Sequence, residues 1–350
     1  MTPCATSSVS NTNFQQATPS KDRKPMHYSN SENITESHEY GRGAPLCSPL
    51  PSHLQSHSDS IHPARDAERS PSEYNRSVPF RSSWETEAPI GVFDSGAGGL
   101  TILSALRREL PHENYIYFGD TAHCPYGVRS DAEIIELSCQ ISQFLIDQGA
   151  KLIVVACNTA SQAALNTLRA SFSVPFIGVV PAVKPAARAT KKGRIGVAAT
   201  NQAAKALYLR QLIDEFAGGI EVYAVGCPEL VTLVEQGELD GRVVEEEVQH
   251  ALQPLLKEGV DVIVLGCTHF PALRPVIEHI TNHHVQVIDS GSAVARRTRS
   301  VLEAEALIRH ADPHSSSGEL HLWCSGDPTA FSSVASKLLG YPVVAAQSGI

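Results

Sequence analysis

Short apolar runs that favour β-strands alternate with amphipathic stretches of helical period from Pro89 onward. The runs are 90-IGVF, 115-YIYF, 152-LIVVA, 174-VPFIGVV, 195-IGVAA, 220-IEVYAV, 262-VIVLG and 285-VQVI. Between them lie stretches such as 131-DAEIIELSCQISQFLIDQG, in which an aspartate that can cap a helix comes first and a glycine comes last. Strands that alternate with helices predict an α/β fold, in which helices cover both faces of a mainly parallel sheet.

The part of the chain from 90 to 290 consists of two halves with a similar pattern. Each half opens with Ile-Gly-Val, and about 60 residues later it offers a strand that ends in Cys157 or Cys267. The repeat predicts two similar doubly wound lobes. Ligands of open α/β sheets bind at the C-terminal ends of the strands, so we expect the active site in the cleft between the lobes.

Residues 1–88 have a different composition from the rest of the chain. They are rich in Ser, Pro, His and Asn, and their apolar residues follow no helical or strand period. A segment of this kind buries too little apolar surface to offset the entropy that ordering costs. We therefore expect a disordered, low-complexity N-terminal extension.

The composition argues against several classes of partner and compartment. The net charge is −9 and no run is rich in Lys and Arg, which argues against nucleic acid as a partner. No apolar run approaches the roughly 18 residues of a membrane helix, and no secretory pattern opens the chain. The spacing of the 8 cysteines fits neither a disulfide scaffold nor a structural zinc site. We expect a cytoplasmic protein that holds no metal and whose cysteines are free thiols.

Small polar residues follow five of the predicted strands at their C-terminal ends. They are Asp94-Ser95-Gly96, Asp120-Thr121, Cys157-Asn158-Thr159, Cys267-Thr268-His269 and Asp289-Ser290-Gly291. These strand ends lie at the edges of the sheets where sites form, so together they predict a polar pocket rich in hydroxyl and amide donors. Such a pocket suits a ligand with carboxylate and ammonium groups, and the glycines of 94-DSGAGGLT would let the backbone approach a ligand carboxylate at a helix N-terminus.

Two common chemistries explain these residues only in part. A dinucleotide-binding loop needs G-x-G-x-x-G, but Thr101 stands where the third glycine belongs. Asp120 lies near the place of a ribose-binding acid, so an NAD-dependent oxidoreductase stays as an alternative. A cysteine hydrolase would pair Cys267 with His269, but that scheme leaves Cys157 without a role.

The two matched cysteines suit the inversion of a chiral carbon, which needs a base on one face and an acid on the other. A thiol with a pKa of about 8.5 can serve as either. Asp94 could hold or relay a proton near Cys157, and His269 could do the same near Cys267. The scheme requires no cofactor, and the motifs contain no lysine for a pyridoxal phosphate Schiff base. A non-catalytic amino-acid-binding pair of lobes would need neither cysteine.

These motifs closely resemble those of the glutamate racemase family, whose cofactor-independent enzymes make D-glutamate for bacterial peptidoglycan. The matching motifs are FDSGAGGL, YFGDTAHCPYG, ACNTAS, LGCTHFP, VIDSG and SGDP, in order between Ile90 and Gly340. The resemblance implies a first α/β lobe over 89–181 plus 291–350 and a second lobe over 182–290. Aspartate racemase, which shares the paired cysteines, is the alternative within the same chemistry.

The resemblance also implies roles for individual residues. Cys157 would act on D-glutamate and Cys267 on L-glutamate, and further catalytic positions would be Asp94, His269, Asp120 and Glu235. Periodicity alone gives Glu235 a solvated helix face. The residues that would bind the substrate are Asp94, Ser95, Tyr126, Gly127, Cys157, Asn158, Thr159, Cys267, Thr268 and His269.

The expected partners are L- and D-glutamate, with no nucleic acid and no membrane. A homodimer is a further expectation. Some members of the family have shorter N-terminal extensions and are activated by a UDP-linked peptidoglycan precursor, and the extension here suggests the same control. His123 replaces a frequent Arg of the family and Ala97 a usual Val, so a charge role at His123 does not carry over.

Overall fold

The computed structural model describes residues 24–28, 83–310 and 317–350, and its strands form two sheets. The strands are β1 (Met26–Tyr28), β2 (Ile90–Asp94), β3 (Tyr115–Gly119), β4 (Leu152–Val155), β5 (Phe176–Gly178), β6 (Arg194–Ala199), β7 (Glu221–Gly226), β8 (Val262–Leu265), β9 (Gln286–Ile288), β10 (Leu320–Cys324) and β11 (Ala345–Gln347). The helices are α1 (Ser83–Glu87), α2 (Leu100–Glu109), α3 (Asp131–Asp147), α4 (Asn158–Ser171), α5 (Val183–Ala189), α6 (Asn201–Lys205), α7 (Leu207–Phe216), α8 (Pro228–Glu235), α9 (Arg242–Lys257), α10 (Arg274–Ile280), α11 (Gly291–Ala304) and α12 (Pro328–Leu339). Short 3-10 turns cover Tyr126–Val128 and Phe270–Leu273.

The first sheet has the order β11-β10-β3-β2-β4-β5, and all its strand pairs are parallel. Its central strands are buried along their whole length, because helices cover both faces. In β2, Val92 packs into the core on one face and Phe93 into the core on the other. A period-2 alternation is therefore absent from the sequence, and continuous apolar runs replace it.

The second sheet repeats the plan of the first. Its order is β1-β7-β6-β8-β9, and every pair except β1 with β7 is parallel. In each sheet the Ile-Gly-Val strand, β2 or β6, lies between the strand that follows it and the strand that ends in cysteine. The strands β4 and β8 are thus equivalent, and the prediction of two similar α/β lobes with mainly parallel sheets is confirmed.

All the predicted apolar runs are strands, β2 to β9, but the structure adds strands that the pattern missed. After the second sheet the chain returns to the first, where Val294 and Leu302 of α11 join the core that α2 covers. Strands β10 and β11 then extend the first sheet beyond β3. They were missed because β10 is only half buried and β11 is three residues long.

Three details differ from the predictions. Within the extension predicted to be disordered, β1 pairs with β7 and 83–87 form a helix, so the prediction is wrong for these residues; 1–23 and 29–82 lie outside the described residues. Helix α3 is capped by Ser130, which forms a capping box with Glu133, rather than by Asp131. Cys139 is disulfide-bonded, so the prediction of free thiols is wrong there.

Within 24–28, 83–310 and 317–350, no helix combines the length and the apolar character needed to cross a bilayer.

Candidate active site

The two matched cysteines lie at one cavity, although they come from different lobes. Cys157 follows β4 and caps α4, and Cys267 follows β8 two residues after Leu265. The residues that line the cavity are Ser95, Pro125, Tyr126, Gly127, Cys157, Asn158, Thr159, Thr200, Val231, Cys267, Thr268 and His269. Parallel strands that end at facing edges of two sheets bring these residues together.

Cys157 occupies the N-cap position of a 14-residue helix. Its Sγ accepts a hydrogen bond of 3.5 Å from the backbone N–H of Ala160, and it lies 3.8 Å from Oγ of Ser95. Burial raises the pKa of Cys157 well above its usual value, and the negative charge of Asp94 raises it further. The N–H of Ala160 acts in the opposite direction but does not compensate. The thiol form of Cys157 is therefore favoured.

Asp94 lies buried at the end of β2, next to Cys157. Its Oδ2 accepts a hydrogen bond of 2.6 Å from the N–H of Gly99 and lies 3.5 Å from Oγ1 of Thr268. Burial raises the pKa of Asp94, and neighbouring His269 opposes that rise without cancelling it. A carboxyl group with a raised pKa can exchange a proton with a neighbouring thiol.

His269 links Cys267 to a carboxylate. Its Nδ1 is 3.6 Å from Sγ of Cys267, and its Nε2 is 2.5 Å from Oε1 of Glu235. Burial alone would lower the pKa of His269, but the charge of Cys267 and hydrogen bonds with Cys124, Cys267 and Glu235 raise it well above the usual value. The arrangement therefore favours an imidazolium between the sulfur of Cys267 and the carboxylate of Glu235.

The glycine-rich loop after β2 approaches the second lobe rather than a ligand. A Cβ atom at Gly96 would lie 2.1 Å from Oε1 of Glu235, and one at Gly98 would lie 2.2 Å from Nδ1 of His269. The N–H of Ala97 donates a 2.7 Å hydrogen bond to Glu235. At this helix N-terminus, where a ligand carboxylate was expected, the N–H groups of Ala97 and Gly99 donate to the protein's own Glu235 and Asp94.

Asp120 supports the cavity from behind. It is buried, its Oδ2 accepts a 2.6 Å hydrogen bond from the hydroxyl of Tyr126, and its Oδ1 accepts one of 2.6 Å from Ser325. His123 Nδ1 lies 2.7 Å from Oδ1. Tyr126 lines the cavity, whereas Asp120 does not. The geometry thus makes Asp120 a positioning residue for Tyr126 rather than a group that meets a ligand.

The strand end at Asp289 does not contribute to the cavity. Asp289 forms an ion pair with Arg274, and Oγ of Ser290 donates to the backbone carbonyl of Val180. These contacts lie where the chain passes back to the first lobe. Three of the five predicted strand ends therefore line the cavity, the one at Asp120 supports it through Tyr126, and the fifth serves the connection between the lobes.

Sequence reasoning missed Thr200 and Val231 in the cavity wall. Thr200 follows β6, and its Oγ1 lies 3.3 Å from Oγ1 of Thr159 in the other lobe. The signal was present, because Thr200 ends the run 195-IGVAA as a small polar residue, like the other strand ends. Glu235 was selected only through the resemblance, and it lines a neighbouring cleft rather than this cavity.

The cavity is nearly closed and contains an unsatisfied acceptor. Its volume is about 10 Å³, on the order of the space for a single water. Among the described residues, Oδ1 of Asn158 is buried and has no hydrogen-bond partner. Because a buried acceptor without a partner is unfavourable, the site is built to receive a donor.

Several known proteins are similar to this chain in sequence and in fold. The sequence profile of the Asp/Glu/Hydantoin racemase family matches residues 100–298. A glutamate racemase of Herpetosiphon aurantiacus is 46% identical over 248 residues, which are 71% of this chain and 96% of the relative. The crystal structure of glutamate racemase from Thermus thermophilus in complex with β-chloro-D-alanine is 39% identical, has a TM-score of 0.62, and covers 76% of this chain and 98% of its own.

The Escherichia coli glutamate racemase, solved with L-glutamate and the activator UDP-MurNAc-ala, is 35% identical with a TM-score of 0.65 and covers 74% of this chain and 97% of its own. The family profile, the sequence relatives and the structural neighbours thus point to the same family as the pair of cysteines at the strand ends. The chain belongs to the Asp/Glu/Hydantoin racemase family.

Proposed function

We propose that this chain is a glutamate racemase that interconverts L- and D-glutamate. The observation that carries the proposal is the pair of Cys157 and Cys267, which follow the equivalent strands β4 and β8 and line one cavity. One sulfur, as thiolate, takes the proton from Cα and becomes a thiol. The other sulfur, as thiol, gives its proton to the opposite face of Cα and becomes a thiolate. The configuration is inverted, and no electron is gained or lost.

Each sulfur has a neighbour suited to its proton transfers. Asp94, whose pKa is raised by burial, lies beside Cys157 and can take up the thiol proton when Cys157 acts as the base for D-glutamate. His269 lies beside Cys267, which acts on L-glutamate. As an imidazolium, His269 stabilises negative charge on the sulfur, and Glu235 in turn stabilises the imidazolium.

The remaining wall residues bind the charged groups of the substrate. The orphan Oδ1 of Asn158 can accept from the substrate ammonium group. The hydroxyls of Ser95, Thr159 and Thr268 face the cavity and can donate to carboxylate oxygens, together with the backbone at Gly127 and the ring of Tyr126. Glutamate does not fit a cavity of about 10 Å³, so the lobes separate to admit it and close around it.

Glutamate is favoured over aspartate because the relatives that cover the chain at 46% and 39% identity are glutamate racemases. The proposal includes a role in supplying D-glutamate for peptidoglycan in the cytoplasm, a division into lobes at 89–181 plus 291–350 and 182–290, and a homodimer. Activation by a UDP-linked precursor is proposed on the example of the Escherichia coli relative, which was solved with such an activator.

Incubation of the purified full chain with L- or D-glutamate in deuterated water, without added cofactor, tests the proposal. We expect loss of optical activity together with deuterium at Cα of the product. A parallel reaction with aspartate serves as the control for the length of the substrate's side chain. Faster racemisation of aspartate would overturn the substrate assignment, and a reaction without deuterium in the product would overturn the two-thiol mechanism.

A further inference from the structure

Three side chains converge at the edge of the cavity in a way that proton transfer does not explain. Cys124, Glu235 and His269 each direct one potential ligand atom to a common point, and these atoms lie within 4.8 Å of one another. Cys124 follows β3 in the first lobe, whereas the other two belong to the second lobe. We propose that these three residues bind a divalent transition-metal ion such as Zn²⁺, and that the bound ion inhibits the enzyme.

The ligand set suits zinc in both chemistry and dimensions. A thiolate, an imidazole and a carboxylate are the side chains that Zn²⁺ uses, whereas Mg²⁺ and Ca²⁺ require oxygen ligands. Zinc bonds of about 2.0 to 2.3 Å in a tetrahedral site place neighbouring ligand atoms roughly 3.3 to 3.8 Å apart. The ligand atoms now lie within 4.8 Å of one another, and the 2.5 Å between Nε2 of His269 and Oε1 of Glu235 must lengthen to reach tetrahedral spacing. Water would fill the fourth position.

The ion can reach this site without opening the cavity of the two matched cysteines. Cys124 and Glu235 are partly exposed and line a separate cleft of about 380 Å³, which Thr232 and Phe331 also border. Imidazole Nε2 of His269 faces Glu235, on the opposite side of the ring from Cys267. Entry from this cleft requires that the ion displace the hydrogen bond between His269 and Glu235, the Nε2 proton of His269 and the thiol proton of Cys124. Both protons pass to solvent.

Binding would change what His269 can do for Cys267. An imidazolium carries protons on both nitrogens, so an ion on Nε2 prevents it from forming. The single remaining proton would stay on Nδ1, next to Cys267. The ion would also take Glu235 from His269. The inhibitory effect rests on the proposed racemase function, whereas the binding of the ion does not.

Cobalt as a spectroscopic substitute for zinc tests the binding separately from catalysis. The probe is Co²⁺ added to the full chain with both Cys157→Ala and Cys267→Ala, which removes the two thiols proposed for catalysis. We expect a thiolate-to-cobalt charge-transfer band with tetrahedral d–d absorption, and loss of both when Cys124→Ser is added. Cys324→Ser, which alters a different free thiol that is buried, is the control and should leave the spectrum unchanged. A band that survives Cys124→Ser would place the ion elsewhere and overturn the proposal.

Inhibition by Zn²⁺ provides the second readout. We expect Zn²⁺ to inhibit the otherwise unaltered chain reversibly, with activity restored by a chelator. With rates normalised to each variant's metal-free rate, Cys124→Ser should need at least about 10-fold more Zn²⁺ for half inhibition, because it loses its soft ligand. Equal sensitivity of both proteins would overturn the inhibitory role. A protein that binds Co²⁺ as described but does not racemise glutamate would refute the proposed function and leave the metal site standing.

Discussion

The Oε1 atom of Glu235 lies 2.5 Å from Nε2 of His269 and accepts a 2.7 Å hydrogen bond from the N–H of Ala97 in the other lobe. Burial alone would raise the pKa of Glu235, but the hydrogen bond and charge of His269 and the N–H of Ala97 lower it below 4.5. The pKa of His269 is raised well above 6.5. One carboxylate therefore stabilises both the imidazolium and the contact between the lobes.

Replacement of Glu235 should reduce stability in a defined pH window. The contribution of Glu235, whose pKa is lowered, is present above pH 4.5 and lost as the pH falls through the lowered value. That of His269, whose pKa is raised, is present below pH 6.5 and lost as the pH rises through the raised value. At about pH 5.5 we expect Glu235→Gln to lower the free energy of unfolding by about 1.5 to 3 kcal/mol, as for a lost hydrogen bond to a charged group.

Urea unfolding at several pH values measures this difference. Glu246→Gln is the control, because Glu246 pairs with Arg242 on the surface and such pairs contribute little. A destabilisation that is the same at every pH would contradict the ionised pair.

Loss of either matched cysteine should remove the reaction, because each supplies the acid or the base for one face. We expect Cys157→Ala and Cys267→Ala each to lower the racemisation rate by about 10³-fold or more, toward the upper range for a general acid or base. Polarimetry of glutamate follows the rate, and Cys324→Ala controls for the loss of a buried thiol. Near-normal racemisation by either variant would refute the assignment.

Removal of the charge on Asp94 should make Cys157 easier to ionise. Burial is the largest cause of the raised pKa of Cys157, and the charge of Asp94 is the next. Asp94→Asn should therefore shift the appearance of the Cys157 thiolate, measured by ultraviolet difference absorption against Cys157→Ala, to lower pH. Ser95→Ala removes a neutral contact with the sulfur and should cause no comparable shift. An unchanged titration in Asp94→Asn would show that the two groups are not coupled.

Asp120 and Tyr126 should act as one unit in substrate binding. Asp120 accepts a hydrogen bond from Tyr126 and does not line the cavity. We expect Asp120→Asn to raise KM for glutamate about 10-fold and to change kcat little, as for a lost hydrogen bond to a charged group. Tyr126→Phe should do the same, and the double variant should be no worse than either. A loss confined to kcat would instead place Asp120 in the chemical step.

The short strand β1 should protect the edge of the second sheet. It pairs antiparallel with β7 in the register Met26 with Ala224, and the hydroxyl of Tyr28 donates a 2.7 Å hydrogen bond to the carbonyl of Ala204. Deletion of residues 1–30 should accelerate amide hydrogen exchange in β7, because an edge strand loses its partner. Exchange in β3 of the first sheet serves as the internal reference. Unchanged protection of β7 would contradict the pairing.

The sequence was most informative where burial on both faces dictates composition. Strands such as β4 and β8 were predicted because only continuous apolar runs suit a sheet covered by helices. Glu235 and Cys124 could not be found in this way. Their positions depend on how α8 of one lobe meets the loops of the other, and that packing leaves no period in the sequence. The strand β1 was not predicted, because a strand of three residues is too short to show a periodic pattern.

Hydrogen bonds cross between the lobes near the cavity, among them those from Ala97 to Glu235, from Thr101 to the carbonyl of Thr268, between Thr159 and Thr200, and from Thr268 to Asp94. Each contributes about 1 kcal/mol net, so the protein without substrate occupies a form open enough to admit glutamate only a small fraction of the time. The apparent dissociation constant is the intrinsic constant divided by that fraction. A substitution at Thr101, which does not line the cavity, would therefore alter affinity without removing any group that binds the substrate's charges.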